Sequence, residues 1–225
     1  MKLQFTAILM AAGSLLPAFA GEPISDKNLE SLVHGNWRFV KSQESHPHAD
    51  KARREEVAKG QKPFAVIVTC ADSRLSPELL FDQGLGDLFV VRVAGNVVDS
   101  AGLASVEYAV EHLGAKLVVV MGHERCGAVT AALPVKGEAH GHGSHDSHKP
   151  EGHIPGLVQM IKPAVKASLP MKGDLLENSI KTNVRFMLKK VQDDPMLKPL
   201  VKKGEVNLRG AYYDLDSGVV SWFAN

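Results

Sequence analysis

Three short, uninterrupted apolar runs constrain the fold of this chain more than any other feature. They span residues 64–69, 88–93 and 117–121. Runs this short and this apolar are typical of strands that are buried on both faces, as in parallel sheets. The segments between them, 76–84 and 100–113, have helix caps and apolar residues three and four apart. This alternation of strand and helix predicts an α/β fold with a mainly parallel central sheet flanked by helices.

Further elements are predicted on both sides of this centre. Helical spacing occurs at residues 25–40, 52–58, 127–133, 154–169 and 175–191. Near the end of the chain, two apolar segments at 206–211 and 219–223 flank the turn signal Asp216-Ser217-Gly218. That pattern predicts a closing hairpin or an edge strand.

The first 20 residues have the layout of a secretory signal peptide. Lys2 gives a positive start, residues 5–16 are almost wholly apolar, and an Ala-x-Ala pattern ends at Ala20. A membrane anchor is the alternative, but the apolar stretch is too short, since a spanning helix needs roughly 20 apolar residues. We therefore predict a signal peptide at 1–20, one domain at 21–225, a periplasmic or secreted location, and no membrane association after cleavage.

The amino-acid composition restricts the classes of function that this chain can have. Lys and Arg number 26 against 25 Asp and Glu, a net charge of +1, which gives no basic surface for nucleic acid. Only two cysteines are present, Cys70 and Cys126. In an oxidising compartment they are either bonded to each other or held as thiolates by something else.

Residues 137–153 form a segment without core-forming residues, which predicts a loop inserted between helices. Its histidines are His140, His142, His145, His148 and His153. Imidazoles suit zinc, copper and nickel. Two interpretations stay open: a metal-collecting segment, which would make this a metal-handling protein, or a solvated spacer.

Both cysteines follow predicted strands. Cys70 follows the first strand, and His123 and Cys126 follow the third. Ligands gather at the carboxyl ends of parallel strands, and two thiolates with one imidazole suit zinc with a fourth position left for water. Three alternatives are two buried cysteines beside an unrelated histidine, a Cys70–Cys126 disulfide, and a thiol redox protein, although no Cys-x-x-Cys pair occurs.

Asp72 and Arg74 follow the first cysteine closely. A carboxylate beside zinc either takes the fourth position or accepts a hydrogen bond from the nucleophile, and an arginine can hold it in the second role. Elsewhere this spacing would indicate a surface ion pair.

The combined motifs, Cys70-x-Asp72-Ser73-Arg74 and His123-x-x-Cys126-Gly127, resemble those of the β-class carbonic anhydrases. The resemblance extends through residues 81–84, 92–96 and 106–109 and covers nearly all of the chain after the leader. It implies the fold of that class and one Zn²⁺ per subunit, held by Cys70, His123 and Cys126. It also implies reversible hydration of CO₂ to bicarbonate through a zinc-bound hydroxide, with Asp72 and Arg74 as the dyad that orients the nucleophile.

The resemblance also implies a substrate site and an assembly. The residues implied to bind CO₂ or bicarbonate are Gln61, Phe89, Ala94, Tyr108 and Gly127. Part of this pocket would come from a second subunit, which implies a homodimer or a larger homo-oligomer whose N-terminal helices pack on the partner. From periodicity alone, Phe89 and Tyr108 would be ordinary core residues. Ile67 replaces a tryptophan found in members with a closed site, which favours water as the fourth ligand.

Overall fold

The structure is a computed structural model that describes residues 26–134 and 152–223. The predicted leader and residues 137–151 of the predicted insertion lie outside the described residues, and both stay predictions. Among the helices that are described, none combines the length and apolar character needed to cross a membrane.

Within residues 26–134 and 152–223, five strands form one sheet. They are β1 Ala65–Thr69, β2 Leu88–Arg92, β3 Leu117–His123, β4 Asn207–Tyr213 and β5 Val220–Trp222. The strand order is β2-β1-β3-β4-β5; the first four strands are parallel and β5 is antiparallel to β4. The predicted parallel sheet and the terminal hairpin are confirmed. The third strand is longer than predicted, because β3 continues to pair with β4 up to His123 opposite Tyr213.

Eight helices surround the sheet in the described part of the chain. They are α1 Lys27–Val40, α2 Lys51–Val57, α3 Pro77–Leu80, α4 Ser100–Glu111, α5 Gly127–Thr130, α6 Ile154–Ser168, α7 Leu175–Asp193 and α8 Leu197–Lys202. The start of α1 is capped by Asp26, whose carboxylate accepts from two backbone N–H groups of the first turn. Such capping satisfies N–H groups that have no partner within a helix.

Three helices differ from the sequence prediction. The helix predicted at 76–84 is one turn, α3, which ends at Leu80 with Phe81 as its C-cap. The helix predicted at 127–133 is one turn, α5, and Leu133 precedes Pro134, a position at which the helical conformation is disfavoured. Helix α8 was not predicted, because six residues with Pro199 among them are too few to show a helical period.

The buried strand residues alternate between two cores, as the side-chain period of two requires. Ile67 and Val119 face the layer that contains α1, α3 and α6. Val66 and Val118 face the layer that contains α4, α7 and α8. Helices on both faces explain why β1 and β3 are buried along their whole length.

The strand order places a topological switch between β1 and β3. From β1 the chain continues outward to β2, whereas from β3 it continues to the opposite side, to β4. In open α/β sheets ligands bind at the carboxyl ends of strands at such a switch. Cys70 and His123 lie there.

The N-terminal helix packs on its own chain. Leu29, Leu32 and Val33 join the core, and the Asn36 amide donates to the carbonyl groups of Leu80 and Gly218. Packing of the N-terminal helices on a partner subunit stays a prediction.

Candidate active site

Three side chains of metal-binding type meet at the carboxyl edge of the sheet. Cys70 directly follows β1, His123 is the last residue of β3, and Cys126 caps α5. One ligand atom from each lies within 4.8 Å of the other two, and all three residues are buried. Both cysteines are free, so no disulfide joins them. The prediction that two neighbouring strand ends bring these residues together is confirmed.

The orientation of His123 leaves one ring nitrogen available. Its Nδ1 lies 2.9 Å from the carbonyl oxygen of Glu124. Because a carbonyl only accepts, Nδ1 carries the proton and Nε2 presents a lone pair. Nε2 is buried and has no hydrogen-bond partner among the described residues. A histidine that donates through one nitrogen to a backbone carbonyl and leaves the other unsatisfied has the arrangement of a metal ligand.

The pKa values of the two thiols are shifted in opposite directions. A hydrogen bond from Cys126 lowers the pKa of Cys70 in spite of burial, and the backbone N–H of Gly95, which donates to the same sulfur, acts in the same direction. The same pairing, together with burial, raises the pKa of Cys126. Cys70 is therefore already disposed to be a thiolate. Two sulfurs and one imidazole nitrogen at this spacing fit a zinc ion, which binds the deprotonated form of both cysteines.

Asp72 lies beside the three ligands and is paired with Arg74. Arg74 Nε and Nη2 donate to the two carboxylate oxygens at 2.9 and 2.7 Å, and the Arg74 backbone N–H donates at 3.0 Å. These bonds hold the pKa of Asp72 well below its usual range, so the carboxylate is ionised at neutral pH. Asp72 Oδ2 is 3.8 Å from His123 Nε2. A charged acceptor of fixed orientation thus borders the ligand cluster.

Arg92 supports the segment that carries Cys70 and Asp72. Its Nε donates to the carbonyl of Cys70 at 3.2 Å and its Nη2 to the carbonyl of Asp72 at 2.6 Å. No role for Arg92 is predicted from the sequence. A signal for it was present, because Arg92 ends β2 opposite Thr69 in the parallel pairing, next to Cys70.

Arg125 supports the turn between His123 and Cys126. It has a positive φ of 52°, and its guanidinium donates to both carboxylate oxygens of Asp216 at 2.9 and 2.7 Å. Its carbonyl accepts from Arg74 at 3.4 Å. This link is not predictable from the sequence, because Arg125 and Asp216 are 91 residues apart and an isolated charge pair carries no local signal.

Two of the predicted substrate residues lie at this edge of the sheet. Gly127 is exposed and begins α5 directly after Cys126. Ala94 begins a 3₁₀ turn, Ala94–Asn96, whose central residue, Gly95, donates to Cys70 Sγ at 3.2 Å.

The other three predicted substrate residues lie elsewhere in the chain. Gln61 is exposed and precedes β1. Phe89 pairs with Val66, four residues before Cys70, which corresponds to about 13 Å along a strand. Tyr108 is 48% exposed, and its ring centroid lies 6.3 Å from that of Phe89. Within one chain, these three residues therefore do not lie next to Cys70.

Known proteins resemble this chain along most of its length. A sequence profile of the family described as "Carbonic anhydrase" matches residues 65–220. Carbonic anhydrase 2 of Mycobacterium tuberculosis is 38% identical over 193 residues, which cover 84% of this chain and 88% of that protein.

Solved structures agree with the sequence matches. The β-carbonic anhydrase CcaA superposes with a TM-score of 0.65 at 25% identity, covering 87% of this chain and 95% of that one. One of two tetrameric β-carbonic anhydrases from Sordaria macrospora superposes with a TM-score of 0.66 at 20% identity, covering 89% and 98%. The second likeness concerns the fold alone.

Proposed function

The chain belongs to the β class of the carbonic anhydrase family, and we propose that Cys70, His123 and Cys126 hold one Zn²⁺ per subunit for the reversible hydration of CO₂ to bicarbonate and a proton. Carbonic anhydrase activity follows from the family. The observation that carries the zinc assignment is the buried, unpartnered Nε2 of His123, together with the placement of one ring nitrogen of this residue within 4.8 Å of two thiol sulfurs.

The chemistry of the ligand set supports a catalytic zinc site. Zinc bound by three protein ligands acts as a Lewis acid and acidifies a water molecule, which supplies a nucleophile near neutral pH. Both oxygens of Asp72 accept from Arg74. This pairing favours the predicted open fourth position over coordination by Asp72.

We assign Asp72 the task of orienting the nucleophile. An ionised carboxylate can only accept, so Asp72 takes a hydrogen bond from the attacking oxygen and leaves a lone pair directed at CO₂. Arg74 fixes the carboxylate through two parallel bonds. Arg92 fixes the backbone of Asp72. The dyad thus reduces the orientational freedom of the reacting oxygen, which lowers the barrier.

We infer that the substrate pocket is completed by a second subunit. CO₂ is apolar, and the rings of Phe89 and Tyr108 provide an apolar wall, while the Gln61 amide offers a hydrogen bond to bicarbonate. These residues lie far from Cys70 along the sheet of their own chain and are partly exposed. A homodimer or larger homo-oligomer, in which the partner presents them beside Ala94 and Gly127, supplies the missing side of the site.

For the location of the enzyme, we propose export to the periplasm or beyond, with cleavage after Ala20. The charge, apolar run and Ala-x-Ala ending of residues 1–20 support it. N-terminal sequencing of protein recovered from a periplasmic fraction should begin at Gly21. Recovery in the cytoplasm with Met1 intact would contradict export.

Two variants test the assigned roles. Asp72→Asn should keep one zinc per chain by elemental analysis but lose about 100-fold or more in CO₂ hydration, because a misplaced reacting oxygen can cost that much in rate. Cys126→Ala should lose both zinc and activity. Asp193→Asn is a matched control, because Asp193 is an exposed acid paired with Lys189 and should behave as wild type. Full activity of Asp72→Asn, or of a zinc-free Cys126→Ala preparation, would reject the proposal.

A further inference from the structure

A fully buried amide lies behind the ligand cluster. Asn183, on α7, has no exposed surface, and its Nδ2 donates to the carbonyl of Gly95 at 2.8 Å. Its Oδ1 has no hydrogen-bond partner among the described residues. Burying an amide is unfavourable unless it is hydrogen-bonded. The bond to Gly95 is thus the one polar interaction that the Asn183 side chain makes in the part of the chain that the structure describes.

Gly95 connects this amide to the first cysteine. The backbone N–H of Gly95 donates to Cys70 Sγ at 3.2 Å, while its carbonyl accepts from Asn183. Gly95 has φ 67° and ψ 23°, the left-handed conformation that favours glycine. A Cβ there would lie 2.7 Å from Ile161 Cδ1. Gly95 therefore supplies both the N–H that donates to Cys70 Sγ and the carbonyl that accepts from Asn183. Its backbone conformation is constrained.

The packing of α7 explains how Asn183 reaches this turn. Gly122 in β3 has no side chain, and a Cβ there would lie 2.8 Å from Val184 Cγ2 and 2.9 Å from Ile180 Cγ2. Helix α7 therefore approaches β3 closely near Asn183. The contact lies at Gly122, the residue directly before His123. This close contact therefore joins β3, the strand that carries His123, to α7, the helix whose Asn183 amide holds the Gly95 turn.

We propose that Asn183 is a positioning residue for the metal centre: it holds the Gly95 carbonyl so that the Gly95 N–H points at Cys70 Sγ. This inference rests on the proposed function, because it takes Cys70 as a zinc ligand. A hydrogen bond to a ligand sulfur fixes its position and reduces the negative charge that it presents to the metal. Without the Asn183 amide, the Gly95 carbonyl is buried and unpaired, and the turn is free to rotate its N–H away from the sulfur.

The experiment compares Asn183→Leu with Thr182→Val. Leucine has the same branching and number of heavy atoms as asparagine, although its methyl groups are bulkier, and it cannot donate. Thr182 is the neighbouring buried residue of α7, and its hydroxyl accepts from Ser168 at 3.0 Å rather than contacting Gly95. Each purified full-length variant is assayed for zinc affinity by competition with a chromophoric chelator. Each is also loaded with Co²⁺, whose thiolate charge-transfer absorption reports on the ligand sulfurs.

Asn183→Leu should bind zinc about tenfold more weakly, the lower end of the range for residues that support metal ligands, and should shift the cobalt charge-transfer band. Thr182→Val should lose stability without either change. Should Asn183→Leu fail to fold, Asn183→Ala, which leaves space rather than adding methyl groups, is measured below its melting temperature with the same expectation.

Wild-type zinc affinity and an unshifted cobalt spectrum in a folded Asn183 variant would overturn the positioning role, even if that variant were less stable. A wild-type protein that bound no zinc would instead reject the proposed function. The two failures are therefore distinguishable.

Discussion

At the scale of single residues, two carboxylates are kept ionised by different donors. Asp72 is held by one arginine side chain. Asp82 is buried, and burial alone would raise its pKa, but hydrogen bonds from Ser45, Arg38 and His46 outweigh burial and lower the pKa to about 2. Asp72 borders the ligand cluster, whereas Asp82 ties the segment after α1 to the end of α3.

The low pKa of Asp82 predicts a specific acid sensitivity. An unfolded aspartate has a pKa near 3.9, so the stabilisation from Asp82 is complete above that pH and is lost as the pH falls towards 2. Between about pH 5 and pH 2, the free energy of unfolding of the metal-free protein should drop by about 2 kcal/mol more in wild type than in Asp82→Asn. Urea denaturation followed by circular dichroism at each pH measures the difference. Parallel pH profiles of the two proteins would contradict this role of Asp82.

The residues that could be predicted are those whose signal is local. Cys70, Asp72 and Arg74 share one short segment after an apolar run, and His123 and Cys126 share another. Arg125 could not be predicted, because its role depends on Asp216 in a distant turn. Asn183 could not be predicted for the same reason. The helical period of α7 indicates that its side chain faces inward, but not which group the side chain contacts.

At the scale of elements, α7 approaches β3 closely beside the ligand cluster. This approach depends on Gly122, which directly precedes His123. The three apolar runs could be predicted as strands because both faces of each are covered, and the resulting parallel order follows from the intervening helices. The order of the strands is not visible in the runs themselves, because every run is equally apolar.

The Gly122 contact predicts the result of a small substitution. Gly122→Ala should destabilise the protein by about 1–3 kcal/mol, because the added methyl group must push α7 away from β3. Gly156→Ala is the matched control; a Cβ at Gly156 in α6 would meet nothing within 4 Å, and alanine should stabilise the helix by roughly 0.5–1 kcal/mol. Chemical denaturation measures both. A Gly122→Ala protein as stable as wild type would show that α7 does not pack as described.

At the scale of the whole molecule, the residues of the proposed site are divided between the two ends of the sheet. The ligand cluster and Asp72 occupy the carboxyl end, while Phe89 and Tyr108 lie about four residues of strand away. Both groups of residues could be predicted from the resemblance of the sequence to the β-class carbonic anhydrases. It could not place them relative to each other, since that depends on which surfaces of two subunits meet.

Mixed oligomers test this division. Asp72→Asn and Gln61→Ala homo-oligomers should each be nearly inactive. Equal mixtures that exchange subunits should regain about a quarter of the wild-type sites, because half of the dimers are mixed and each mixed dimer has one intact site. CO₂-hydration rates before and after subunit exchange give the result. No recovery after proven exchange would show that Gln61 acts within its own chain.

The most direct test of the account is a zinc titration of the metal-free protein, with the CO₂-hydration rate measured by stopped flow after each addition. If the enzyme depends on one zinc ion per chain, the rate should be zero without zinc, rise linearly with added Zn²⁺, and reach a plateau at one equivalent per chain. Full activity in protein shown by elemental analysis to lack zinc, or no gain as the site fills, would contradict this dependence.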